Sequence, residues 1–265
     1  MSQSLITSRD NPVFKRVKKL ADSARTRRDA RMTLLDSAHL IEAYLEAGGQ
    51  PHTLLRAASC PTERVNRLVA RSHAAKSLVL PDALFAELTP VATPTGLLAE
   101  AAWLAPSAID TTPLVIVLEQ IQDPGNLGAM LRTGAAAGAT LAVLSANCHD
   151  AWSPKALRGG QGAQFVLPMQ LDVDLPNWLN GFAGASVALT LDDASASGED
   201  FYRMDFTGPT AFIVGNEGAG LSAPVMQAAS TRARIPMPGK VESLNAAAAL
   251  AVAAFEAVRQ RAAQA

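Results

Sequence analysis

The feature that most constrains this chain is an alternation in its second half. LVIVLE (114–119), TLAVLS (140–145), SVALTL (186–191) and TAFIV (210–214) are almost wholly apolar, and helical patterns separate them. A strand without polar alternation is buried on both faces, which predicts a parallel sheet covered by helices. NLGAMLRTGAAAGA (126–139) reads as one such helix, with Asn126 as its N-cap. Shorter helical pieces are expected near 153–158 and 222–229, and a further strand at RARI (232–235). Leu244, Ala248, Val252, Phe255 and Val258 set a last helix over about 244–261, begun by Ser243 or Asn245. Small-molecule sites in such sheets lie beyond the carboxyl ends of the strands.

The first half alternates in the same way on a smaller scale. Val13, Val17 and Leu20 mark an amphipathic helix over 10–21, opened by Asn11-Pro12. MTLL (32–35) precedes a helix around Leu40, Ile41, Tyr44 and Leu45, which Gly48-Gly49 stops. Apolar runs follow at 53–58 and 77–80, with a helix between them and another near 82–88. The Thr-, Pro- and Ala-rich stretch 89–113 reads as a closing strand and then a linker. The expected division is a smaller α/β domain over 1–105, a linker over 106–112 and a larger domain over 113–265.

Composition removes several classes. With 265 residues, 49% hydrophobic and 18% charged, the chain can bury a core without staples. Its longest apolar run, AAAALAVAAF (246–255), is too short to cross a bilayer. No secretory h-region is visible in MSQSLITSRDNP, and Cys60 and Cys148 match no zinc or redox spacing. A reducing cytoplasmic setting without a metal site is therefore expected. Charge is unevenly spread: residues 1–35 carry nine Lys and Arg against three Asp, within a chain of net charge −1. Such an asymmetry suits an anionic partner, and equally an ordinary solvated helix face.

Three loops could carry chemistry. DPGNLGAMLRTG (123–134) is a turn between strand and helix, with Arg132 about two turns further on. IVGNEGAGLS (213–222) has the glycines of a nucleotide loop but matches neither GxGxxG nor a P-loop. The P-loop lysine and hydroxyl positions are Leu221 and Ser222, which counts against an NTPase or a nicotinamide dehydrogenase. That leaves a backbone-rich loop with one carboxylate, Glu217. IPMPGKVESLNAAAALA (235–251) is extended at first, because two prolines and a glycine forbid helix there.

In this order the three segments resemble the three motifs of the SpoU (TrmH) family of RNA ribose 2′-O-methyltransferases, within the SPOUT superfamily. SPKALRGGQGAQFVLP (153–168) is similar to the family's segment after its second strand. ITSRDNPVFKRVKKL (6–20), LLDSAHLIEAYLEAG (34–48) and TPTGLLAE (93–100) are more loosely similar to its ribosomal-protein-like RNA-binding domain. Two departures stand out. Asp36-Ser37 replaces a frequent Glu-Gly, and Gly134 stands where Ala is usual.

The resemblance implies a parallel α/β sheet with a deep C-terminal trefoil knot, preceded by the smaller RNA-binding domain. It implies S-adenosylmethionine as cofactor, held by Leu191, Gly215, Asn216, Ile235, Met237 and Leu244. It frames the catalytic site with Asn126, Arg132, Glu217, Ser243 and Asn245. Arg132 would then meet the RNA phosphate or the 2′-oxygen. A guanidinium stays protonated, so Arg132 is expected to stabilise developing charge rather than to take the proton. Structured RNA, ribosomal or transfer, is the implied partner, contacted by Arg9, Asn11, Lys15 and Lys18. The family is homodimeric, and a partner completes each site. The competing class is a non-catalytic RNA-binding or assembly factor, which loss of Asn126, Arg132 or Glu217 would have favoured.

Overall fold

The computed structural model describes residues 4–72, 76–89, 95–107, 111–191 and 201–264. The expected linker lies partly outside them. The chain forms two compact units: Met1–Ala105 with Asp150–Val166, and Pro106–His149 with Leu167–Ala265.

The first unit begins with β1 (Ser4–Leu5), α1 (Pro12–Asp22), α2 (Ala24–Ala30), β2 (Met32–Asp36) and α3 (Ala38–Glu46). It continues through β3 (Thr53–Ala57), α4 (Thr62–Arg71), β4 (Lys76–Leu80), α5 (Asp82–Ala86) and β5 (Leu97–Ala102). The sheet order is β1-β4-β3-β5-β2. β5 is antiparallel to both its neighbours, while β1, β4 and β3 run parallel. Of the predicted apolar face of α1, Val17 and Leu20 are buried and Val13 only partly so; Phe14 takes the third buried place, and Phe14, Val17 and Leu20 pack with Leu34, Leu55, Leu80 and Phe85. The Asn11 side chain caps α1 by accepting the Val13 N–H at 2.9 Å. Buried Arg27 donates to the Leu20 and Ala21 carbonyls at the end of α1 and pairs with Asp150 at 2.7 Å. A cation suits a helix C-terminus, and here it also ties the 150–166 segment down. Trp152 of that segment stacks on Trp103 with ring centroids 5.1 Å apart, and Phe165 meets Tyr44 edge-on.

The departure at Asp36-Ser37 has a local explanation. Asp36 is buried and accepts the Thr89 and Thr95 hydroxyls at 2.5 and 3.2 Å. Burial pushes its carboxyl above the usual range, against the pull of those hydroxyls. Ser37 sits at φ 144°, a region that favours glycine, while its hydroxyl caps α3 by accepting the Leu40 N–H. Such strain costs about 1–3 kcal/mol, whereas a Ser-to-Gly cap change costs a few tenths. Ser37→Gly is therefore expected to raise stability by about 1 kcal/mol after the added chain entropy of glycine. Ser37→Ala, which keeps the strain and loses the cap, should lower it. Urea midpoints of both variants test this; a destabilised glycine variant would show that the cap outweighs the strain.

The second unit holds β6 (Leu114–Leu118), α6 (Pro124–Ala136) and β7 (Leu141–Ser145), after which α7 (Pro154–Gly160) belongs to the first unit. Then come β8 (Met169–Val173), α8 (Leu175–Asn180), β9 (Ala185–Leu189), β10 (Thr210–Val214), α9 (Ala223–Ala228), β11 (Thr231–Ala233) and α10 (Ala246–Ala262). The six strands lie in the order β11-β9-β10-β6-β7-β8, and every pair is parallel. β6 and β10 are buried throughout, as expected for a sheet covered on both faces. Arg261 of α10 donates to the Thr112, Pro113, Phe206 and Gly208 carbonyls, fastening the last helix across the starts of β6 and β10.

Several expectations need correction. α6 starts at Pro124, and its cap is Asp123, which accepts the Asn126 N–H at 2.7 Å. The side chain of Asn126 is therefore not engaged in capping. α10 starts at Ala246 with Asn245 as cap, so Ser243 does not cap it. The RARI strand is Thr231–Ala233, which leaves Ile235 in the following loop. β8 and α8 lie beyond the sequence expectations, because β8 is a half-exposed edge strand with no apolar run. Gly134 has a packing reason: a Cβ there would come within 2.7 Å of Ile116 Cδ1.

Candidate active site

The register of the sheet assembles the site. Val214 pairs with Leu118, so β10 and β6 end side by side. The loops 119–123 and 215–222 leave the same edge, and the chain after β9 and β11 leaves it as well, since those strands run parallel.

The 215–221 loop is a closed hairpin. Asn216 and Gly220 exchange both backbone hydrogen bonds, at 3.0 and 2.9 Å. The Asn216 Oδ1 accepts the Gly218 and Ala219 N–H groups, and its Nδ2 donates to the Gln120 carbonyl, each at 2.9 Å. The Asn216 side chain thus shapes the loop. Gly220 is left-handed at φ +71°. At Gly215 a Cβ would collide with the Gly220 carbonyl and lie 2.6 Å from the Leu221 nitrogen.

The three loops are joined by side-chain amides. Asn126 Nδ2 donates to Glu217 Oε1 at 3.1 Å. Asn126 Oδ1 accepts from Asn245 Nδ2 at 3.1 Å. Asn245 Oδ1 accepts the Ala247 N–H at 2.9 Å, in the first turn of α10. An acceptor on one side and a donor on the other set which way the Asn126 amide faces. The result is a polar rim with a fixed sequence of donors and acceptors and an exposed carboxylate, Glu217, at its end.

Beneath the rim lies a cavity of about 530 Å³. Asn126, Glu217, Ser243 and Asn245 line it, as do Leu191, Gly215, Asn216, Ile235, Met237 and Leu244. Arg132 does not. It is exposed, about 120° around α6 from Asn126, and bonds to no other described residue. Ser243 is exposed and its hydroxyl bonds to none of the described residues. Leu189, Thr190, Met226 and Ala249 also line the cavity. Nothing in their local pattern marks them, because only the fold brings β9, α9 and α10 to one hollow.

The expected RNA contacts lie in the first unit and are engaged internally. Arg9 pairs with Glu87 at 2.6 Å, Lys15 with Asp10 at 2.7 Å and Lys18 with Asp22 at 2.9 Å, while Asn11 caps α1. Cys148 half-buries its thiol against the Leu118 carbonyl, and burial pushes its pKa up. Among the described residues, no group of three or more His, Cys, Asp or Glu could hold a metal ion, and no helix is long and apolar enough to cross a membrane.

An all-parallel sheet with a glycine-rich hollow at its carboxyl edge, rimmed by fixed polar groups, defines a cofactor-dependent α/β enzyme. The chain matches the SpoU rRNA Methylase family over residues 113–255 and belongs to it. It is 36% identical to an uncharacterized tRNA/rRNA methyltransferase of Synechocystis, over 97% of this chain and 94% of that one. It is 29% identical to the 23S rRNA (guanosine(2553)-2′-O)-methyltransferase RlmP of Bacillus subtilis, over 94% and 97% of the two chains. Its fold is similar to that of the SpoU methyltransferase AviRb of Streptomyces viridochromogenes in complex with the cofactor AdoMet. That match has a TM-score of 0.80 and 27% identity, and covers 96% of this chain and 100% of that one. As a SpoU-family member, the chain is an S-adenosylmethionine-dependent RNA 2′-O-methyltransferase.

Proposed function

We propose that this protein methylates a ribose 2′-hydroxyl of structured RNA, with ribosomal RNA as the substrate and transfer RNA as the alternative to be tested beside it. The observation that carries the reading is the Glu217–Asn126–Asn245 chain on the rim of the cavity. The hollow suits S-adenosylmethionine, because it combines the backbone groups of the 215–221 loop with apolar walls at Leu189, Ile235 and Leu244. When bound, the cofactor supplies an electrophilic methyl group and its own leaving group. The protein's part is then to place the 2′-oxygen in line and help remove its proton. Orientation of this kind is worth on the order of 7–11 kcal/mol in the best cases.

In this reading Asn126 and Glu217 orient the incoming ribose and Ser243 offers a free hydroxyl. Arg132 stabilises the developing alkoxide. Because Arg132 stays outside the cavity of its own chain, the reading includes a homodimer in which the partner's α6 delivers it. The family's knotted C-terminal topology belongs to the same reading, as does a cytoplasmic location where RNA is available.

The 1–105 region is assigned to RNA binding. The pairs at Arg9, Lys15 and Lys18 are solvent-exposed, and such pairs are worth about 0–1 kcal/mol. Exchanging their carboxylate partners for phosphates therefore costs little and releases counterions.

The test is the full chain with labelled S-adenosylmethionine, total RNA and chelator, followed by ribose-methyl mapping. Label is expected in one ribosomal RNA nucleotide. Label in transfer RNA would correct the substrate. Cofactor binding without any transfer would favour a non-catalytic RNA-binding factor.

A further inference from the structure

Glu119 directly follows β6, and none of the site residues named above includes it. Its backbone N–H donates to the Val214 carbonyl at 2.9 Å, just before Gly215. Its carboxylate takes the Ser222 N–H at 2.8 Å on Oε2 and the Ser222 hydroxyl at 2.6 Å on Oε1, just after Leu221. One residue thus holds both ends of the 215–221 loop. The next residue adds a third hold, since the Gln120 carbonyl accepts Asn216 Nδ2.

The chemistry of this carboxylate singles it out. Glu119 is 5% exposed, and among the described residues no Lys or Arg pairs with it. Removing a charge from water without a counter-ion is costly, and among the described residues the two donors of Ser222 offset it. Stability alone would be served as well by an apolar residue; a two-point attachment would not. Ser222 stands at the cap position of α9, yet its side chain does not cap that helix and turns to Glu119 instead. The loop mouth also leaves no slack, because Gly215 lies against the Gly220 and Leu221 backbone. A shift at Ser222 therefore passes directly into the loop that lines the cavity.

We propose that Glu119 is a positioning residue that holds the 215–221 loop, through Ser222, in the shape that receives the cofactor. This rests on reading the cavity as the S-adenosylmethionine site. Calorimetric titration of the folded full chain with S-adenosylmethionine, well below its melting temperature, tests it. Glu119→Ala is expected to weaken binding by about ten- to a hundredfold, the range for losing charge-assisted hydrogen bonds. Glu119→Gln should recover to within about threefold, because its amide can accept the Ser222 N–H and donate to the Ser222 hydroxyl. Ser222→Ala, which keeps the N–H bond, should fall between them; where Glu119→Ala does not fold, it carries the test. A purely structural role would lower the melting temperature and leave the affinity of the folded protein unchanged. Binding by Glu119→Ala, or by Ser222→Ala in its place, within about twofold of wild type would overturn the proposal. So would a glutamine variant as weak as the alanine one. Ala249→Phe, which fills the cavity from α10, separates the two ideas. If it binds like wild type, the cavity assignment fails whatever Glu119 does.

Discussion

Alanine in place of Arg132 is expected to lower turnover by about 10²–10³ at saturating RNA, the usual effect of removing one preorganised donor from developing charge. Cofactor affinity should change little, because Arg132 lies outside the cavity and touches none of the groups that shape it. Lysine should not restore activity, since it keeps the charge but loses the planar fork that spans a phosphate and an oxygen. Delivery by a partner subunit makes a sharper expectation. Chains carrying Arg132→Ala and chains carrying Asn126→Ala are each expected to turn over slowly alone. Mixed in one dimer, they contain one site with an intact Asn126 and an intact Arg132, and activity should return. No recovery in a verified mixed dimer would place Arg132 in its own chain's site. Turnover of Arg132→Ala within a few-fold of wild type would exclude the role altogether.

Gly215→Ala should weaken cofactor binding by roughly five- to a hundredfold with the fold retained. The added Cβ meets backbone, the Gly220 carbonyl and the Leu221 nitrogen, and not the movable end of a side chain. Relief requires opening the hairpin that Asn216 and Gly220 close. Overpacking of this kind costs about 1–3 kcal/mol, enough to weaken affinity by roughly five- to a hundredfold if the loop opens to relieve it. Calorimetry gives the affinity, and circular dichroism verifies the fold. Unchanged affinity in the alanine variant would mean that the loop opens freely and that its closed form is not what binds.

Much of this was legible in the residues because the signals are local. LVIVLE and TAFIV are too apolar to face water, and they became the central strands β6 and β10. Asn11-Pro12 opens α1, and Val17 and Leu20 lie on its inner face, where Phe14 is buried with them and Val13 only partly so. The motif resemblance named ten residues that line one cavity. β8 carries no sequence signal because an edge strand needs no apolar run, and Asn126 reads as a cap because Asn caps helices so often. The structure gives the cap to Asp123 and leaves the Asn126 amide to join Glu217 with Asn245.

Sequence alone therefore determined the apolar strands, the loops between them and the family they match, since each depends on neighbours a few residues apart. Only the tertiary structure decided that residues 150–166 pack with the first unit, through Arg27–Asp150 and Trp103–Trp152. It alone decided that Arg132 lies outside the cavity and that Glu119 holds Ser222 from 103 residues away. Those are contacts between segments distant in the chain, and they arise when buried charges and rings must find partners to offset their removal from water.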